Sequence, residues 1–247
     1  MKADPSAQLK LLDVQALDAR ADQLRHQRRS LPEIAEIDKL TASRSELVDQ
    51  MRDLQIAVDD LTAAQKKADA DVEQVKTRRS RDRERMDQGL ITNPKDLERM
   101  QHELESLDRR ISTLEDEELE VMEELEETQV RLAQLDVQVT EHDQRLEVLV
   151  AQRDKRIAEI DDELSRLTGD RAPLVADVPE DLLALYERLR ESKGGVGAAE
   201  LRARQCGGCR LSVDAAELAQ IRNAPDDLVL RCEECQRILV RTDESGL

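Results

Sequence analysis

A helical repeat of apolar residues fills most of this chain, with a break or kink predicted at Pro32 and a second interruption near residue 90. In the first arm one heptad position is Ile37, Arg44, Met51, Val58, Gln65 and Val72, and the position three residues later is Leu40, Leu47, Leu54, Leu61, Ala68 and Val75. The repeat stops near Met86, where Gly89 and Asn93-Pro94 are typical of a turn, and it resumes at Leu97. A repeat sustained over so many heptads predicts coiled-coil helices.

The two arms predict one antiparallel helical hairpin. Residues 95–168 would extend about 110 Å as a continuous helix at about 1.5 Å per residue, and the first arm, residues 5–85, is nearly as long. Equal arms joined by a short turn favour a hairpin over residues 1–172, with its tip at about 86–95. An intermolecular coiled coil would give the same periodicity, so dimerisation stays open.

The hairpin model also predicts a register and an end. With the tip centred near residue 91, Gln65 would lie opposite Glu118, where the two side chains could hydrogen-bond. Gly169 is typical of a helix C-terminus, and Pro173 follows it. We therefore expect the second arm to end at Gly169.

A short amphipathic segment and a Gly-rich linker occupy residues 173–197. The segment follows Pro179, and its apolar face consists of Leu182, Leu185, Tyr186 and Leu189. We expect it to be a helix that packs on the base of the hairpin, with Tyr186 in the core. The sequence Lys193-Gly194-Gly195-Val196-Gly197 then indicates a domain boundary before residues 198–247. The predicted fold is mainly α: a long antiparallel coiled-coil hairpin with a small C-terminal β zinc ribbon.

The cysteines of the chain form two C-x-x-C pairs: Cys206, Cys209, Cys232 and Cys235. Two intervening residues let both sulfurs of a pair reach one ion, and the second pair completes a tetrahedron of thiolates. Four thiolates leave no open position for water, so the prediction is one structural Zn²⁺ and not a catalytic ion. Gly207 and Gly208 suit the first turn, because glycine accepts positive φ angles.

Three other uses of these cysteines compete with structural zinc. A thioredoxin-like dithiol needs one C-x-x-C at the start of a helix in an α/β domain, and the sequence indicates no such domain. Two disulfides need an oxidising compartment, which nothing in the chain supports. An iron–sulfur cluster usually has a different spacing or a third local cysteine. Spacing therefore favours zinc.

Composition and charge limit the remaining function classes. The chain has no Phe, no Trp and one Tyr, and 38% of its residues are charged, so a single large compact core is not expected. Its formal charge is −18, yet residues 201–241 carry +1, which leaves −19 on the rest. Such an acidic body repels phosphates and disfavours wrapping a nucleic acid along its length. Without a long apolar span or an apolar secretory region, the predicted location is cytoplasmic.

Several stretches resemble the bacterial C4-type zinc-ribbon family, whose members carry a long N-terminal antiparallel coiled coil. The stretches are residues 11–18, 31–33, 93–97 and 114–117, together with C-G-G-C and the second C-x-x-C. The resemblance spans almost the whole chain and implies a zinc role for the cysteines and a non-enzymatic adaptor. Members in flagellated bacteria are associated with an alternative sigma factor and with RNA binding. A transcription- or RNA-associated protein partner is thereby implied.

Six ribbon arginines are candidates for contacting nucleic acid: Arg202, Arg204, Arg210, Arg231, Arg237 and Arg241. The ribbon has no aromatic residue, so base stacking worth about 1–3 kcal/mol per base is absent. Any such binding would be weak, salt-sensitive and sequence-tolerant. The competing interpretation is that these side chains offset nearby carboxylates: Asp226, Asp227, Glu233 and Glu234.

The leading hypothesis for function is an adaptor whose stalk presents a zinc-stabilised head to nucleic acid or to a transcription- or RNA-associated protein. The alternative is a structural coiled-coil scaffold that recruits a protein partner and has no nucleic-acid contact. The chain shows neither a Gly-rich phosphate loop nor a pocket in which carboxylates could be tuned. We therefore expect no enzymatic activity, no small-molecule substrate and no membrane association.

Overall fold

The computed structural model describes residues 1–247. The helices are α1 (Pro5–Arg29), α2 (Pro32–Asp87), α3 (Pro94–Ala176), α4 (Glu180–Ser192) and α5 (Ala215–Asn223). The strands are β1 (Ala198–Arg202), β2 (Gln205–Cys206), β3 (Leu230–Arg231) and β4 (Ile238–Val240). The mainly α fold predicted from the heptads is confirmed, including the small C-terminal sheet.

Each of the three long helices begins with proline. Pro5, Pro32 and Pro94 occupy first helical positions, where the missing N–H costs nothing and the fixed φ angle already suits a helix. Side chains satisfy the next donors: Asp4 Oδ1 accepts from Ser6 N at 2.8 Å, and Asn93 Oδ1 accepts from Lys95 N at 3.1 Å. Sequence-local chemistry thus sets where these helices begin.

Helix α3 does not end where the sequence predicts. It continues through Gly169 and Pro173 to Ala176, so the expected stop at Gly169 is wrong. Pro173 removes the hydrogen bond to the carbonyl four residues earlier, which belongs to Gly169, and the cost falls close to the end of the helix. Leu174 and Val175 pack on a buried core beyond this point, and that packing outweighs the local stop signals.

The chain forms two compact units: unit 1 contains Met1–Ile34 and Val150–Leu247, and unit 2 contains Ala35–Leu149. In unit 1 a core joins α1, α4 and two strands through Leu11, Val14, Leu182, Tyr186 and Ile238. Tyr186 is fully buried, as predicted. A second core within the ribbon surrounds Cys206 and Cys232.

The ribbon sheet has the order β2-β1-β4-β3. Strands β1 and β4 are parallel, and the other two pairings are antiparallel. The N-terminus of the chain also pairs with the ribbon: Ala3 N donates to Asp227 O at 2.8 Å, and Val229 N donates to Met1 O at 3.2 Å. Residues from both ends of the sequence therefore build the same part of unit 1.

The Gly-rich connection at 193–197 lies inside unit 1 and is held in place. The buried Gln15 amide donates to Gly195 O at 2.9 Å and accepts from Gly197 N at 2.8 Å. A Cβ atom at Gly197 would lie 2.5 Å from Tyr186 O, which is too close for any other residue. This connection is a packed segment of the unit.

Unit 2 consists of the facing parts of α2 and α3. Its seam is apolar, with Val72, Leu104, Leu107, Ile111, Leu114, Leu125 and Leu149 all buried. Ion pairs cross the seam: Lys76 with Glu115, Arg79 with Asp108, Arg145 with Glu36, Arg44 with Asp143 and Arg78 with Glu103. The predicted hydrogen bond between Gln65 and Glu118 does not form, and the carboxyl group of Glu118 is influenced instead by Asp69, which raises its pKa.

Candidate metal centre

Two similar knuckles carry the cysteines in unit 1. In the first, Arg210 N donates to Cys206 O at 2.7 Å; in the second, Gln236 N donates to Cys232 O at 2.9 Å. The residue after each pair has a positive φ angle, 61° at Arg210 and 63° at Gln236. The same turn therefore presents two sulfurs in each knuckle.

The four sulfurs lie at the corners that a tetrahedral ion requires. Cys206 Sγ is 3.8 Å from Cys235 Sγ, and Cys209 Sγ is 3.9 Å from Cys232 Sγ. All four sulfurs lie within 4.8 Å of one another. A tetrahedron with Zn–S bonds of about 2.3 Å has edges of about 3.8 Å. The donor set and its spacing fit one structural Zn²⁺.

The thiols differ in their proton affinity. Burial raises the pKa of Cys206 and raises that of Cys232 to about 12. Burial also acts to raise the pKa of Cys235, but hydrogen bonds from the main chain and side chain of Arg237 outweigh it and lower the value to about 7. The raised pKa values of Cys206 and Cys232 mean that an ion that binds there must displace their protons.

The first knuckle needs glycine for space and not for a positive φ angle. The angles at Gly207 and Gly208 are not positive, so the expected reason is wrong. A Cβ atom at Gly208 would lie 2.7 Å from Cδ of Arg237 and 3.2 Å from Cβ of Ala199. The second knuckle and β1 approach the first so closely that a side chain there would force them apart.

Glu217 was not predicted from the sequence, and it supports the second knuckle. Its Oε1 accepts the main-chain N–H of Glu233 at 3.1 Å, and Glu217 is buried. Asp214 caps α5 by accepting from Glu217 N at 2.8 Å. The pattern D-x-x-E before a helix was the available signal. With Glu233, these carboxylates form an acidic cluster whose members are used in hydrogen bonds.

Arg231, Arg237 and Arg241, from the six candidate arginines, bind carbonyl oxygens within unit 1. Arg231 donates to Gln236 O, and Arg237 donates to Val196 O and Lys193 O at 2.9 and 2.7 Å. Arg241 donates to Ile221 O, Ala224 O and Pro225 O and lies 3.5 Å from Asp226. These side chains stabilise the ribbon and its connection.

The other three arginines are exposed near the first knuckle. Arg202 pairs with Glu244 at 2.7 Å, and Arg204 Nε donates to Gly246 O at 2.9 Å. Arg210 makes no ion pair in the structure. Carboxylates thus offset two of the six arginines, Arg202 through Glu244 and Arg241 through Asp226, whereas Asp227 pairs with Lys2 at 2.8 Å.

Two protein-family models match this chain, one for each of its parts. A model of the CT398-like coiled coil hairpin domain matches residues 14–194, and a model of the C4-type zinc ribbon domain matches residues 205–239. The chain belongs to the CT398-like coiled-coil hairpin family. Its resemblance to C4-type zinc-ribbon proteins is thereby confirmed, and the four clustered cysteines are those of the ribbon.

Relatives in this family share both parts of the chain. An uncharacterized protein of Mycobacterium tuberculosis is 37% identical over 243 residues, which cover 98% of each chain. A solved Mycobacterium smegmatis structure has a TM-score of 0.85 at 37% identity and covers 98% of this chain and 100% of its own. CT398 from Chlamydia trachomatis has a TM-score of 0.71 at 18% identity, with 96% and 98% covered, and shares the fold.

No helix of this family member is both long enough and apolar enough to cross a membrane.

Proposed function

We propose that this protein is a non-enzymatic cytoplasmic adaptor whose coiled coil recruits a protein partner, while its zinc ribbon stabilises unit 1. The architecture of a coiled-coil hairpin with a zinc ribbon is that of a scaffold. A transcription- or RNA-associated protein is the partner class that the family resemblance favours. We favour the coil over the ribbon as the contact surface because several ribbon arginines bind carbonyl oxygens of their own unit.

A surface that binds nucleic acid needs cationic side chains that are free to meet phosphates. In the ribbon, Arg231, Arg237 and Arg241 donate to main-chain carbonyls of their own unit. Redirecting them would leave those carbonyls without donors and expose the joint between the ribbon and α4. The ribbon is therefore better suited to a structural role.

The coiled coil of unit 2, unlike the ribbon, has exposed side chains that its own fold does not use. Unit 2 buries only its seam, and the solvent-facing side of α3 carries exposed apolar residues, among them Leu119, Val130 and Val137. Apolar residues that are exposed together, unlike those scattered singly, mark protein-contact sites. This supports recruitment by the coil.

Site-specific photo-crosslinking in cells tests the proposal with the full chain. A crosslinking amino acid replaces Gln134 on α3 in one variant and Arg222 on α5 in a matched ribbon variant. We expect a protein partner to crosslink from Gln134 and not from Arg222. Crosslinking only from the ribbon position would contradict recruitment by the coil.

A second candidate function is weak nucleic-acid binding by the ribbon. The observation that favours it is Arg210, which is exposed and makes no ion pair. Arg202 and Arg204, close to it in the sequence, are exposed as well. An electrophoretic titration of RNA and DNA compares the wild type with an Arg202→Ala/Arg204→Ala/Arg210→Ala variant. Binding lost in the variant supports this candidate, and equal or absent binding in both removes it.

A further inference from the structure

Helix α3 carries a second apolar seam on the side that faces away from α2 in unit 2. The inner seam passes through Leu125, Thr128, Leu132 and Leu135, which are buried or half-buried. Displaced from it, at alternating spacings of three and four residues, are Val130, Ala133, Val137 and Thr140, all exposed. Extended towards the tip, the same spacing passes through Glu126 and Glu123 before it reaches Leu119, so the acidic end lies on the seam itself. Alternation of three and four is the spacing by which one helix packs against another.

The exposure of this outer seam is unusual for a two-helix coil. Leu119 is 55% exposed, Val130 is 50% and Val137 is 57%. Residues on the outside of a coiled coil are normally charged or polar, because apolar side chains there stay in contact with water. Small residues at Ala133 and Thr140 alternate with the valines, which allows another helix to approach closely.

One end of the outer seam is strongly acidic. Residues 115–127 contain nine acidic residues and no Lys or Arg. Glu123, Glu126 and Glu127 line an open depression of about 530 Å³ beside Val130, with Arg131 as the one cation at its edge. Of this run only Glu115 and Glu117 have a cationic partner, Lys76 at 2.8 Å and Arg110 at 3.9 Å. The surface thus combines an apolar stripe with a negative field at one end.

We propose that this outer face of α3 docks an amphipathic helix of another protein. The helix has apolar residues at heptad spacing and Lys or Arg residues at the end that meets residues 115–127. The inference rests on the proposed adaptor function and specifies the kind of partner that the coil takes. Apolar contact provides the affinity, and the charge sets the direction in which the helix lies.

Charge argues against a second copy of this chain as the occupant. In a parallel pair, residues 115–127 of both copies would lie together and bring their carboxylates into contact. In an antiparallel pair centred on Ala133 and Val137, Glu123 would approach Glu147 of the other copy. Both arrangements place like charges opposite each other, which is destabilising.

Binding of two synthetic peptides to the full-length protein tests the proposal. The first peptide is a helix of about four heptads with Leu at the seam positions and Lys flanking the seam at one end. The second is a scrambled peptide of identical composition without the heptad spacing. We expect the heptad peptide to bind at least about tenfold more tightly than the scrambled one in fluorescence anisotropy.

Matched variants separate the apolar and charged parts of the surface. Val130→Gln/Val137→Gln removes the stripe, and its control, Ile56→Gln/Leu90→Gln, removes two equally exposed apolar residues elsewhere in unit 2. Glu123→Gln/Glu126→Gln/Glu127→Gln removes three charges, and Asp38→Asn/Asp53→Asn/Asp60→Asn removes three exposed charges from α2. We expect about tenfold weaker binding for each surface variant and wild-type binding for each control.

Three results would overturn the proposal: equal binding of both peptides, equal binding by surface and control variants, or a dimer in sedimentation that Val130→Gln/Val137→Gln dissociates. Circular dichroism confirms that each variant remains helical. Failure of this docking proposal can be distinguished from failure of the adaptor function by crosslinking. A cellular partner that still crosslinks from Gln134 in the stripe variant leaves the adaptor intact and removes this docking face.

Discussion

Single side chains hold the metal knuckles in position from outside the ligand set. Glu217 reaches from α5 to the main chain of the second knuckle, where it accepts the Glu233 N–H at 3.1 Å. The bond fixes the turn between Cys232 and Cys235 before an ion binds. Residues that orient metal ligands in this way commonly affect affinity although they never touch the ion.

We predict that Glu217→Ala weakens zinc binding by about 10- to 100-fold, because the Glu233 N–H loses its buried acceptor. Competition with a chromogenic chelator measures the affinity. Glu217→Gln retains a side-chain oxygen that can accept the same hydrogen bond and is expected to stay close to wild type. Equal losses in both variants would show that charge, and not the hydrogen bond, is what matters.

A second residue-scale feature is the buried carboxylate of Asp18. It accepts from Arg171 Nε at 2.8 Å and from Tyr186 Oη at 2.8 Å, and Arg190 Nε lies 3.6 Å away. Arg190 Nε is buried and has no hydrogen bond. Burial and the neighbouring Asp18 both raise the pKa of Tyr186, so its phenol stays a donor.

We predict that Asp18→Ala lowers the free energy of unfolding by about 1–3 kcal/mol, because the buried Tyr186 hydroxyl loses its acceptor. Arg171 and Arg190 keep their pairs with Glu187 and Asp22. Urea denaturation monitored by circular dichroism measures the change. The control is Lys10→Ala, which breaks the exposed pair with Asp177 and is expected to cost less than about 1 kcal/mol. Similar costs for the two variants would contradict the prediction.

Among the elements, the seam of unit 2 contains one contact between like charges. The carboxyl group of Glu118 in α3 interacts with that of Asp69 in α2, and this interaction, with a smaller contribution from burial, raises the pKa of Glu118. Lys76 acts in the opposite direction and Glu115 in the same direction. The folded coil therefore holds a proton at Glu118 to a higher pH than the unfolded chain does.

This contact makes the stability of the coil depend on pH. Because the folded pKa of Glu118 is raised, its contribution is complete below the ordinary value of 4.5 and is lost as the pH rises through the raised value. We predict that Asp69→Asn flattens this decrease, since an amide can donate to the ionised carboxylate. Thermal melts from acid to neutral pH measure it, and Asp60→Asn, an exposed control, should retain the wild-type profile.

In the whole molecule, the zinc ribbon is integrated into unit 1. Its strands share a core with α1 and α4, and its edge pairs with residues at the N-terminus. Unit 2 depends on a different kind of interaction, a seam of apolar heptad residues without any thiolate. The two units therefore have separate sources of stability.

We predict that a strong chelator removes about one zinc per chain and unfolds the ribbon, since such sites fold with their ion. Hydrogen exchange should accelerate in β1 and β4, whereas most of the helical circular dichroism remains because α2 and α3 supply it. Returning zinc should restore protection. A fully protected ribbon without metal would contradict a structural role for the ion.

The sequence alone determined the features that depend on spacing along the chain. Heptad periodicity predicts both arms, the turn residues predict the tip, and two C-x-x-C pairs predict the ligands of the metal. Tyr186 could be placed in the core because its helix has one apolar face. Each of these follows from a repeat or a motif within a short segment.

Only the tertiary structure decided the features that depend on distant residues. Helix α3 passes Pro173 because Leu174 and Val175 find a core to pack on. The roles of Arg237 and Arg241 depend on carbonyls of other segments, which the chain brings near only when it folds. Local patterns carry no information about such partners, because these contacts arise from packing.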